Sequence, residues 1–181
     1  MVYPLFALMC VLVIWAAGFF LIRRWPGDRS MSISLHAVAH RSAFWYFASV
    51  TTVIGVAFTA FLTQWFIPTF HLPWWFTAVY LLSFAAQLIT AWVPDRPGWR
   101  RPVHRLAAYG MALLWLVLTI MLAASAELSV FARWFSALGA MVMVGSLVVA
   151  MHPRQRPNYL IYQTTYVMVL DVVFLVATFA R

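Results

Sequence analysis

The chain has no lysine, a single cysteine and only four acidic side chains in 181 residues. Each shortage excludes something. A retinal or pyridoxal Schiff base needs a lysine amine, so neither can form here. One cysteine, Cys10, allows no intrachain disulfide and leaves the redox compartment undefined. Charged residues make up 9% of the chain, against about a quarter in an ordinary soluble domain. Several motifs are missing as well. There is no phosphate-binding glycine loop, no HExxH, no serine triad and no GxxxG, only the small-residue pair Ser136 and Ala140 four apart.

What is present is apolar. Hydrophobic residues reach 65%, and the mean hydropathy is +0.89. Apolar runs cover residues 2–22, 43–67, 74–93, 105–126, 129–151 and 159–180. Each approaches or exceeds the ~20 residues that cross a bilayer core. Pro4 stands at the start of the first run, and the other eight prolines fall between runs, where none removes a helical hydrogen bond. The fourth and fifth runs are divided only by SAEL (125–128), where Glu127 marks a turn. The expectation is one integral-membrane domain: an all-α bundle of six transmembrane helices arranged as three hairpins.

The positive charge sorts by side. The loops after the first, third and fifth runs hold Arg23, Arg24, Arg29, Arg41, Arg96, Arg100, Arg101, Arg105, Arg154 and Arg156, while Arg133 and Arg181 alone fall on the other side. By the positive-inside rule the basic loops face the cytoplasm and both termini lie outside, as in a bacterial inner membrane. The first run has no basic residue before it and two arginines after it, the pattern of an uncleaved anchor rather than a signal peptide. Arginines that flank spans also remove the reason to infer a nucleic-acid partner from a net charge of +8. Trp25, Trp45, Trp65, Trp74, Trp75, Trp92, Trp99 and Trp134 lie near run ends, as interfacial belts require, whereas Trp15 and Trp115 lie deep.

Two stretches, VAHRSAFWYFA (38–48) and PVHRLAAYGMA (102–112), begin apolar runs with the same His-Arg pair, which raises a parallel internal repeat. Both follow basic loops, as does the last run with His152 before it.

Asp171 is the residue most expected to carry chemistry. It sits mid-run in TYVMVLDVVFLVA, where an aspartate costs about 2.5–3.5 kcal/mol to insert. Such a residue faces the bundle and finds partners. Helical spacing aligns it with Gln163, Thr164 and Thr178, while Ser83, Gln87 and Thr90 share a face of the third run, with Gln87 at similar depth. Thr52, Thr59 and Thr63 on the second run complete one expected polar seam. Asp171 then serves either as a proton or cation site or as a protonated group bonded to Gln87 that holds helices together.

His36 and His40 lie one helical turn apart and could chelate a metal, with His104 at the same depth. His40 with His104 is the pair suited to haem. Against this, histidine needs no ligand at a membrane interface, and of the loop acids, which look unpaired, only Asp95 is near. A metal hydrolase built on His36, His40, Asp95 and His104 lacks a water-binding cluster. Segment 30–42 is read as an interfacial helix or an extension of the second span, capped by a serine at 30, 32 or 34. Beside it, Arg23, Arg24, Arg41, Arg100, Arg101 and Arg105 are placed to contact anionic lipid headgroups.

The six spans, the basic loops, VPDRPGWRRPVHR (93–105) and the final NYLIYQTTYVMVLD (158–171) together resemble bacterial six-helix membrane families of the DRAM/Sfk type. The resemblance covers most of the chain in layout and implies a role in membrane lipid organisation with no active site. HRLAAYGM is also similar to the His-Arg helix starts of b-type haem membrane proteins. The leading expectation is non-enzymatic: a protein that contacts lipid or joins a membrane complex, whether with a partner protein or with its own copies, and that needs no cofactor. The alternatives are a small proton-linked transporter using Asp171 and a haem or metal redox protein using His40 and His104.

Overall fold

The structure, a computed structural model, describes residues 2–180, so Arg181 lies outside the described residues. Among these the chain is all-helical. Six helices are long and apolar enough to cross a membrane. They are α1 (Val2–Arg24), α3 (Arg41–Thr69), α4 (Trp74–Trp92), α5 (Arg100–Ala124), α6 (Val130–Met151) and α7 (Tyr159–Phe179). A short helix, α2 (Ile33–Val38), lies between the first two, and a 3-10 turn (Pro153–Asn158) leads into α7. Ser32 caps α2 by accepting the Leu35 N–H at 3.2 Å, so the middle of the three candidate serines does the capping.

Two helix limits differ from the sequence expectation. Helix α5 begins at Arg100, which brings Pro102 into its first turn, where a missing N–H costs no helical bond. Helix α3 runs on to Thr69 and includes Pro68. Proline cannot donate, and its ring presses on the carbonyl four residues back. Residues Leu62–Phe66 just before it take π-helical form, with Ile67 N–H bonded to Leu62 carbonyl, and the wider turn makes room for the ring.

Helices packed closely against each other are α1 with α3, α4 with α5, α5 with α6, and α6 with α7. Glycine permits the α6–α7 approach and a further one between α3 and α4. A Cβ on Gly55 would stand 2.5 Å from the Phe84 ring, and one on Gly139 would stand 2.5 Å from Val173 Cγ2. On α6 the small residues Ala132, Ser136, Gly139 and Ala140 are buried, and Gly139 lies against Val173 of α7.

The packing is uneven along the bundle. Toward the end opposite the basic loops, Phe61, Phe66, Phe70 and Phe174 pack with Leu62, Leu122 and Leu128 into one dense cluster. Ser129 closes that end, capping α6 and donating its hydroxyl to the Ala180 carbonyl. The cavity lies in the half nearer the basic loops.

Candidate functional site

The half of the bundle nearest the basic loops encloses a cavity of about 390 Å³. That lies within the roughly 300–1,000 Å³ typical of small-molecule sites. Its wall comes from α1 (Ile14 to Ile22), α3 (Tyr46 to Thr51), α4 (Gln87, Thr90), α5 (Met111, Trp115) and α7 (Gln163 to Met168). Most of these side chains are apolar. Gly18, Phe19 and Met168 belong to the wall, and Phe19 is 62% and Met168 37% exposed, so the cavity opens sideways on the outer surface of the bundle. A smaller chamber of about 90 Å³ adjoins it toward mid-bundle and is bordered by Cys10, Tyr80 and Asp171. Thr51, Gln87 and Trp115 border both.

The partner of Asp171 is Trp15, whose indole N–H donates to a carboxylate oxygen at 2.7 Å. Gln87 borders the same chamber but makes no hydrogen bond among the described residues. Thr164 donates to its own helix at Leu160 carbonyl, and Ser83 likewise to Tyr80 carbonyl. The threonines of α3 turn elsewhere: Thr59 bonds the Tyr80 hydroxyl at 2.8 Å and Thr52 accepts from the Trp92 indole at 2.9 Å, while Thr63 is exposed. The expected single seam is therefore divided, because a helical threonine is satisfied by the carbonyl four residues back. Trp15 was the residue missed. A tryptophan far from both belts needs a partner for its N–H, and its depth in the sequence was the available signal.

The histidines separate. His104 is buried, with Nδ1 2.6 Å from Val93 carbonyl and Nε2 3.1 Å from Ser34 Oγ. A carbonyl only accepts, so Nδ1 carries the proton, and in the neutral ring Nε2 accepts from the serine hydroxyl. Both nitrogens are thus engaged within the protein. His40 is exposed and caps α3 without a side-chain bond. His36 is buried, with Nδ1 3.0 Å from Ser32 carbonyl, and Nε2 has no partner among the described residues. The matched His-Arg pairs consequently occupy unlike positions: His40 precedes its helix, while His104 lies inside one that starts four residues earlier. Among the described residues no group of three or more His, Cys, Asp or Glu side chains is placed to hold a metal ion.

Helix α2 covers the basic end of the cavity, with Ile33 and Ser34 in its wall. It is fastened on two sides, by Ser34 to His104 and by Ile33 N–H to Gln163 Oε1 at 2.9 Å. The loop before it is pinned where Leu160 N–H meets Arg29 carbonyl at 2.9 Å. In that loop the backbone N–H of Ser30 bonds Asp28, which holds this carboxyl below the usual range.

All six arginines expected to meet headgroups are exposed. Two are engaged: Arg101 lies 3.2 Å and Arg105 3.8 Å from Asp95, so this acid is paired. Arg23 stacks on Phe19, Arg24 on Trp25 and Arg100 on Trp99. No protein-family model, curated protein or solved structure matches the chain.

Proposed function

We propose that this is a multi-pass protein of the bacterial inner membrane that holds a lipid-like molecule inside its bundle and has no catalytic role. The observation that carries the reading is the side-opening apolar cavity in the basic half of the bundle. A cavity of that size, left empty in the bilayer, forfeits dispersion contacts along its whole wall, and an amphiphile from the surrounding leaflet restores them. The arginine asymmetry supports placing both termini outside and the cavity in the cytoplasmic leaflet. Pairing of α1 with α3, α4 with α5 and α6 with α7 supports a plan of three hairpins.

Native mass spectrometry of gently extracted protein tests the reading. The expected result is a retained small amphiphile, reduced in Gly18→Leu. Gly18 is in the cavity wall and a Cβ there meets nothing within 4 Å, so the side chain enters open space without disturbing the fold. Wild-type protein that carries no such mass, even after incubation with its own lipid extract, would end the proposal.

A second reading has its own observation. Asp171 borders a chamber that adjoins the side-opening cavity, which is where a proton-linked transporter would place its carboxylate. Proton-driven flux abolished by Asp171→Asn with unchanged folding would favour it.

A further inference from the structure

The cavity wall carries six polar side chains, Ser34, Thr51, Gln87, Thr90, Gln163 and Thr164, and none is ionisable. Four are already committed. Ser34 serves His104, Gln163 accepts from Ile33 N–H, and Thr90 and Thr164 donate to Ala86 and Leu160 carbonyls of their own helices. Thr51 and the Nε2 of Gln163 make no hydrogen bond among the described residues either, and Gln87 is the wall amide bonded through neither of its atoms. It offers two donors and an acceptor, has no partner among the described residues, and stands where the two chambers meet. Gln87 is half-buried, and a ligand in the cavity would cover its amide, which is costly unless the ligand bonds it.

Resting on the reading of the cavity as a lipid-holding site, we infer that its occupant is a neutral amphiphile: an apolar body in the larger chamber and an uncharged oxygen group, hydroxyl or carbonyl, bonded to the Gln87 amide. The charge pattern selects this class. An anionic head at Gln87 would meet no cation in the wall and would stand beside the chamber of Asp171. A cationic head in the larger chamber would meet no anion in its wall, since the Asp171 carboxylate borders only the smaller chamber of about 90 Å³. A neutral oxygen needs only what the amide supplies. The arginines that could neutralise a phosphate are exposed on the surface, outside the wall.

Photolabelling of the full chain in lipid nanodiscs tests the class. Three diazirine probes of equal chain length are compared: a fatty alcohol, its carboxylate and its quaternary ammonium. The alcohol is expected to label residues 46–51 and 163–168 several-fold more than either charged probe. Gln87→Met, which keeps length and removes only polarity, lowers that labelling about three- to tenfold, the worth of one hydrogen bond. Val50→Trp, which fills the cavity, lowers it for every probe. Equal or stronger labelling by a charged probe, or unchanged labelling in Gln87→Met, overturns the neutral class and leaves the cavity a lipid site. No labelling of these segments by any probe overturns both.

Discussion

Trp15 and Asp171 stand 156 residues apart in the chain and are joined by one hydrogen bond of 2.7 Å between the first and last spanning helices. Helices α1 and α7 meet sparingly elsewhere, and the mouth of the cavity lies along their shared side. The bond therefore fixes how far the two helices stand apart at the inner limit of the mouth.

Removing the donor leaves the carboxyl without its partner in apolar surroundings. Trp15→Phe is expected to destabilise the protein by about 1–3 kcal/mol. Trp15→Phe combined with Asp171→Leu should recover most of that loss. A double-mutant cycle of unfolding in detergent measures the coupling, and strictly additive losses would show that the bond contributes nothing.

Gly139 and Gly18 make a contrasting pair. Gly139→Val forces α6 from α7, because its Cβ would stand 2.5 Å from Val173 Cγ2, and a loss of about 1–3 kcal/mol follows. Gly18→Ala meets no atom within 4 Å and should cost nothing. Thermal melting of the two variants side by side checks the difference.

His104→Ala removes the bonds to Val93 and Ser34 at once and should loosen α2. Faster amide exchange through residues 28–40 is the expected signature. His40→Ala, at an exposed position without a cap bond, should leave exchange in that segment as it was.

Sidedness can be read by thiol labelling in a Cys10→Ala background. A cysteine at Gln155 should react only with reagent admitted to the cytoplasm, and one at Glu127 with reagent outside. The reverse pattern would invert the proposed orientation.

Anionic lipid retention should distinguish arginines by what they touch. Neutralising Arg41, which makes no ion pair among the described residues, is expected to reduce retained lipid more than neutralising Arg101, which is shared with Asp95. Asp95→Asn should raise retention by freeing Arg101 and Arg105. Counting bound phosphatidylglycerol by mass spectrometry gives the comparison.

The spanning helices were legible because lipid leaves apolar residues on every face, so runs such as 2–22 and 129–151 stand out without any periodicity. Their ends were less so. Pro102 and Pro68 read as boundaries, yet one fits a first turn and the other a π turn, which hydropathy does not register. The depth of Asp171 was plain, but its partner was not, since the aligned Thr164 and Thr178 are bonded to carbonyls of their own helix. The close contact of α6 with α7 at Gly139 also escaped, because the visible pair was Ser136 and Ala140 and the closest approach falls beside it. The cavity has no sequence signature at all. It is a space left between five spanning helices and α2, and residues far apart in the chain make it.

The uneven packing of the bundle has a mechanical consequence. Close-packed aromatics at one end resist compression, while the hollow at the other yields to it. The cross-section in the leaflet at the basic end thus depends on what fills the hollow, and that on the opposite side does not. On the proposed reading, a filled molecule would be the wider wedge in that leaflet and an emptied one the narrower. Under the proposed lipid-holding role, lateral pressure and curvature of the membrane would act on occupancy: a compressed leaflet would expel the guest, and a stretched one would draw it in.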